Sequence, residues 1–207
     1  GYEVKTEGNR ISLQGGGKLV ATEIQVPSDI SSAAFFMVGA AITEGSDVTL
    51  EAVGINPTRT GVIEILKQMG ADLTVENERI AGGEPIADIR IRGTRSLKGI
   101  HMPEDQVPLA IDEFPALFIA AACAEGRTIL TGAAELRVKE SDRIQVMADG
   151  LETMGIDCTP TDDGIIIEVK GKSDDWSAIF NGGEIESHHD HRIAMSFSMA
   201  GLRTSGE

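Results

Sequence analysis

The sequence predicts an α/β chain built from a repeated unit of helix, strand, helix, strand, strand, and three observations point that way. The run SSAAFFMVGAAITEG from Ser31 and the run DEFPALFIAAACAEG from Asp112 are both apolar and helix-like, and both reach Glu-Gly at the same offset. Further on, Val62, Ile65, Leu66 and Met69, and again Ile144, Met147, Leu151 and Met154, follow helical spacing, each set closing on Met-Gly. Each of those helices leads into strand-like sequence with a hairpin pattern, ADLTVENERIAGGEPIADIRIRG and IDCTPTDDGIIIEVKG.

In chain order, the first apolar run gives a helix whose Ala and Gly content suits close packing, in a chain with only 4% aromatic residues. The stretch SDVTLEAVGI at 46–55 follows as β-rich sequence. NPTRTG at 56–61 reads as the approach to the amphipathic helix, with Thr58 or Thr60 as cap and Arg59 beside a cleft or simply on the surface. Gly70 then serves as a C-terminal cap. In the second unit, the helix from the Asp112 run is followed by the β-rich stretch RTILTGAAEL at 127–136, an amphipathic helix in DRIQVMADGLETMG, and the cap Gly155. KSDDW at 172–176 reads as a surface turn with Trp176 on its rim, and His101 as a loop residue. A third copy opens at HDHRIAMSFSMAGLRTSGE, with Arg192 level with Ser31 and Asp112, and Gly206 level with Gly45 and Gly126.

Charge and length bound the function. With 207 residues and a formal net charge of −15, the chain can bury a substantial core but lacks the basic field that nucleic acid or an anionic membrane requires. No apolar run approaches the ~18 residues of a membrane span. Cys123 and Cys158 have no CxxC spacing, which suits a reduced cytoplasm. Gly1-Tyr2-Glu3-Val4 begins as if within a strand, so a fragment of a longer polypeptide is expected.

The repeat places polar residues at three helix starts, where free N–H groups and partial positive charge favour phosphate and carboxylate ligands. The densest charge lies in LRVKESDRIQVMADGL at 136–151, where Arg137, Lys139 and Arg143 bracket Glu140 and Asp142. A solvated loop is one reading. The other is an anion site in which Arg143 grips a carboxylate, Lys139 acts as a point charge and Glu140 moves protons. ESHHDHRIAM at 186–195 invites a zinc reading from its three histidines. No further ligand set with zinc-like spacing is present, and Asp190, His191 and Arg192 fall at a helix start, where an anion site is the better expectation.

RVKESDRI closely resembles the Lys-Glu-Ser/Thr-Asp-Arg signature of the EPSP synthase family of enolpyruvyl transferases. Three further stretches resemble the same family in the same order: PSDISSAAFFMVGAAI at 27–42, LAIDEFPALFIAAACAEG at 109–126 and DHRIAMSF at 190–197. The resemblance implies a fold of βαβαββ units in an inside-out α/β barrel, helices within and sheets outside. It implies that residues 1–74 end a first domain and that 75–207 form most of a second, the last unit incomplete. It implies transfer of the enolpyruvyl group of phosphoenolpyruvate to the 5-hydroxyl of shikimate 3-phosphate, with no metal or organic cofactor, in a cytoplasmic enzyme monomeric at full length and inactive as a fragment.

By the same resemblance Ser31 and Ser32 hold the 3-phosphate of shikimate 3-phosphate, Asp112 is the base at the attacking hydroxyl, and Lys139 binds near the hydroxyls. Glu140 exchanges the proton at C3 of phosphoenolpyruvate, Arg143 and Arg192 clamp that substrate's anionic groups, and Asp190 and His191 complete the third segment. Glu135-Leu136 stands where many relatives carry Asn, and Phe35-Phe36 where some place a Tyr against substrate. Two rivals are the sister enzyme acting on UDP-N-acetylglucosamine, separable by offering both acceptors, and a non-catalytic binding or assembly module, separable by the length of the parent gene.

Overall fold

The computed structural model describes residues 2–170 and 179–205. The turn expected around Trp176 and the Gly206 equivalence lie outside those residues.

The chain opens with a hairpin, β1 (Val4–Glu7) antiparallel to β2 (Arg10–Leu13), and continues as an exposed segment as far as Val26. The first unit contains α1 (Ile30–Ala41), β3 (Asp47–Gly54), α2 (Gly61–Gln68), β4 (Asp72–Ala81) and β5 (Glu84–Arg92), the strands forming an antiparallel sheet in the order β3-β5-β4. The second repeats it with α3 (Phe114–Ala122), β6 (Gly126–Leu130), α4 (Arg143–Thr153), β7 (Asp157–Thr161) and β8 (Gly164–Val169), in the order β6-β8-β7. A third begins with β9 (Phe180–Asn181) and α5 (His191–Ala200), followed by β10 (Thr204–Ser205) parallel to β9.

That parallel pair has shorter counterparts in the other units. Ser28 bridges Val53 in parallel, and Lys98 and His101 bridge Glu125 and Ile129. Each unit therefore starts with an extended segment that returns, after a helix, beside the following strand. This is the βαβαββ order.

Expected caps and expected strands fare differently. Gly70 and Gly155 have φ of 89° and 83°, the left-handed conformation that ends α2 and α4 without a Cβ penalty. Thr60 takes the N-cap position of α2 without a side-chain bond, while Asn56 Oδ1 accepts from both the Thr58 amide and its hydroxyl, forming the turn. RTILTGAAEL is strand only as far as Leu130. Gly132 turns the chain at φ 73°, and a 3₁₀ turn, Ala134–Val138, replaces the remainder.

The first helices of the units are apolar all round because they are enclosed. All nine residues of α3 are buried, and ten of the twelve in α1. α1, α3 and α5 pack on one another. Gly39 permits the α1–α5 approach, since a Cβ there would lie 2.7 Å from the Met199 sulfur. Buried apolar residues from Ile30 to Ala200 form one core cluster. The expected division at 74/75 falls inside β4, and α1, β3 and α2 share this core with the later units. The exposed segment ends near residue 27, just ahead of the residues that enter the core.

Asp88 secures the entry to α1. It accepts from the Ala52 amide (2.8 Å) and Asn77 Nδ2 (2.9 Å), at irregularities in β3 and β4 respectively, and pairs with Arg79 at 3.3 Å. Ala52, held at φ 53°, presents its carbonyl to the Ser28 amide at 2.9 Å. Asp29 follows and caps α1.

Candidate active site

The starts of α1, α3 and α5 converge, and the loop before α4 joins them. Asp29 caps α1 by accepting from the Ser32 amide at 2.8 Å, and Asp190 caps α5 by accepting from the Arg192 amide at 2.9 Å. Asp142 caps α4 through the Gln145 amide at 3.0 Å, which fixes Lys139, Glu140 and Arg143 on the approach to that helix.

Arg143 is the hub. Its side chain is fully buried, and its guanidinium reaches three carboxylates: Nε to Asp190 at 2.9 Å, Nη1 to Asp112 at 3.1 Å and Nη2 to Glu140 at 2.5 Å. Asp112 also lies 3.7 Å from Lys139 Nζ and 3.8 Å from Arg192 Nη2, while Arg192 Nη1 donates to its backbone carbonyl at 3.2 Å. One carboxylate thus faces three cations. Lys139 is shared with Glu135 at 2.5 Å, and its ammonium is held above the ordinary lysine range first by that hydrogen bond, then, against some burial, by Asp112.

Asp190 is fully buried. Burial alone would raise its carboxyl's pKa, but hydrogen bonds from Arg143, the Arg192 amide and Ser141 Oγ (3.0 Å) outweigh it and hold the group below the usual carboxylate range. Glu140, by contrast, is half exposed and anchored by Arg143.

The structure brings together Asp112, Lys139, Glu140, Arg143, Asp190 and Arg192. The serine pair and Arg143 already have partners within the chain. Ser31 is 2% exposed, donates its hydroxyl proton to Glu113 and accepts from Arg59 at 2.6 Å. Ser32 is exposed, but its hydroxyl donates to Asp29 at 2.9 Å. Each of the three guanidinium nitrogens of Arg143 meets a carboxylate, that of Glu140 being the exposed one. Arg192, with 15% of its side chain exposed, is the more accessible arginine.

His191 stands exposed on the first turn of α5. His188 and His189 take left-handed φ of 51° and 60° in the preceding loop. Among the described residues no group of three or more His, Cys, Asp or Glu is arranged to hold a metal. Arg137 serves structure: it pairs with Asp142 at 2.7 Å and donates to the Asp162 carbonyl at 2.9 Å, tying the loop to the β7–β8 turn. His101 sits 3.4 Å from Thr131 Oγ1 beside its strand bridge. Of the Phe pair, Phe35 is in the core and Phe36 is 58% exposed.

Sequence reasoning missed Glu113, Ser141 and the role of Arg59. Glu113 had a signal, as a carboxyl at the head of an otherwise apolar run. Arg59 had none locally, since its partners lie 28 and 54 residues away.

The same fold occurs in solved structures. The chain superposes on an EPSP synthase from Acinetobacter baumannii with a TM-score of 0.94 and 90% identity, covering 100% of this chain and 46% of that one. A second structure of EPSP synthase from that organism gives a TM-score of 0.92 and 88% identity, with the same coverage. The fold is therefore the α/β fold of the enolpyruvyl transferases. Among curated relatives, proteins named 3-phosphoshikimate 1-carboxyvinyltransferase are 66% identical in Methylococcus capsulatus, over 98% of this chain and 44% of that protein, and 61% identical in Nitrosococcus oceani, over 100% and 44%. The chain belongs to the EPSP synthase (3-phosphoshikimate 1-carboxyvinyltransferase) family, which it matches over residues 1–207. It spans somewhat less than half the length of these relatives.

Proposed function

We propose that the full-length protein containing this chain transfers the enolpyruvyl group of phosphoenolpyruvate to the 5-hydroxyl of shikimate 3-phosphate, releasing phosphate. The observation that carries this reading is the Arg143 hub, which gathers Asp112, Glu140 and Asp190 from the heads of three elements beside Lys139 and Arg192. Two polyanionic substrates need such a concentration of cations in a chain of net charge −15.

Asp112 takes the proton of the attacking hydroxyl as its oxygen bonds to C2 of phosphoenolpyruvate. Glu140 delivers a proton to C3 in the addition and takes one back in the elimination, when the C2–phosphate bond breaks. The half-exposed Glu140 is suited to that traffic, and an incoming carboxylate that replaces it on Arg143 releases it toward C3. Arg192 and Lys139 supply charge to the two substrates, and Asp190 keeps Arg143 in place from below. Ser32 and His191 border the site without a required chemical step.

In the full-length protein Glu140→Gln is expected to suppress hydrogen exchange at C3 of phosphoenolpyruvate, measured by loss of label. Exchange at the wild-type rate removes Glu140 from this role. The proposal extends to a two-body enzyme of the inside-out barrel type, cytoplasmic and monomeric, with the change of body near residue 27. The continuous core from Ile30 onward supports that position.

A further inference from the structure

Glu113 is arranged in a way that its own helix does not require. It stands at the N-cap position of α3 yet makes no capping hydrogen bond with its side chain. Its carboxyl, 2% exposed, instead accepts from Ser31 at the head of α1. Ser31 accepts from Arg59 Nη2 at 2.6 Å, and that same nitrogen lies 4.0 Å from Glu113. Asp112 is the preceding residue, so a single peptide joins the buried carboxyl to the proposed base.

Burying this group costs the fold stability. Burial pushes its titration upward, against the hydrogen bond from Ser31 and the charges of Arg59 and Arg192, while Asp112 adds to the rise. A hydrophobic side chain would fill the same space between apolar helices without that cost. What the carboxyl adds is direction. A hydroxyl has one proton; here Ser31 gives it to Glu113, leaving its lone pairs toward Arg59. The sequence Arg59, Ser31, Glu113 thereby ties the loop before α2, the head of α1 and the head of α3.

We infer that Glu113 is a positioning residue for Asp112: by anchoring the head of α3 to Ser31 and Arg59 it fixes where the Asp112 carboxylate stands. This rests on the transfer reaction proposed above. Asp112 is held on its other side by Arg143 and Arg192, so losing the anchor lets it shift relative to the attacking hydroxyl while the substrate-binding cations stay in place.

The test uses the full-length protein. Glu113→Ala is expected to lower kcat about tenfold or more while both KM values stay within about threefold, the pattern of a contact that matters in the transition state. Glu113→Gln keeps an oxygen for Ser31 and is expected to restore most of kcat. Thermal melts establish that each variant is folded. Ser31→Ala, which cuts the same link from the other end, should reproduce the kcat loss if Glu113→Ala does not fold. A folded Glu113→Ala or Ser31→Ala with wild-type kcat overturns the inference, as does an equal loss in the Ala and Gln variants. An active enzyme in which Asp112→Asn keeps full kcat also overturns it while leaving the function standing. A full-length wild type without transferase activity overturns the functional reading first, and this inference with it.

Discussion

At the scale of single residues, Asp190 shows how a stability requirement and a site requirement meet in one side chain. It caps α5, accepts from Ser141 and neutralises buried Arg143. Replacing it with Asn leaves a buried guanidinium short of one counter-charge, and such losses cost about 3–5 kcal/mol. Asp190→Asn should therefore lower stability in denaturant titrations near neutral pH by that order. The pH dependence follows from the depressed carboxyl. Its contribution is fully present above the unfolded carboxylate pKa of about 4, and is lost as pH falls through the lower folded value. The gap between wild type and Asp190→Asn should narrow below about pH 4; a gap constant down to pH 2 contradicts the assignment. Asp112, Lys139, Glu140 and Arg192 were legible in the sequence because charge crowded into a short motif or stood at a repeat-equivalent helix head. The burial of Ser31 and Arg143 was not, because burial depends on contacts across up to 82 residues of chain.

At the scale of elements, the packing of α4 against α5 fixes the distance between Arg143 and Asp190. Gly150 makes the approach possible: a Cβ there would lie 2.3 Å from the Phe197 ring. Gly150→Ala is expected to cost about 1–3 kcal/mol through overpacking, despite alanine's better helix propensity. A melting temperature equal to or above wild type contradicts this contact. The helices themselves were readable from apolar periodicity and terminal glycines, since both are local. The limit of β6 was harder to read. In RTILTGAAEL the apolar residues continue past Leu130, and Leu136 is indeed buried, but from a 3₁₀ turn rather than a strand. The Asp88 latch was invisible for another reason: it joins irregularities on two neighbouring strands, which no single run of residues reveals.

At the scale of the whole molecule, residues 3–26 expose Val4, Ile11, Leu13, Leu19, Val20, Ile24 and Val26, each at 53% or more. A strip so apolar needs covering. Expressed alone, the 207-residue chain should bind a hydrophobic dye and show no measurable enolpyruvyl transfer, with both properties reversed in the full-length protein. Turnover by the isolated chain within about a hundredfold of an intact homologue, some 2.7 kcal/mol of barrier, contradicts that expectation. The repeat also has a consequence at its three helix heads. Asp29 and Asp190 occupy the same place in their units and each caps its helix, yet one holds the Ser32 hydroxyl and lies 3.8 Å from exposed Arg59, and the other stabilises the buried Arg143. The second unit has Ala110 at that place and relies on Pro115 to start its helix. Freed from capping, its head residues Asp112 and Glu113 turn outward and inward, one to the cations and one to Ser31. A copied scaffold thus holds a candidate site with no internal symmetry, and moving any one head onto another unit would break the partnerships that gather these side chains.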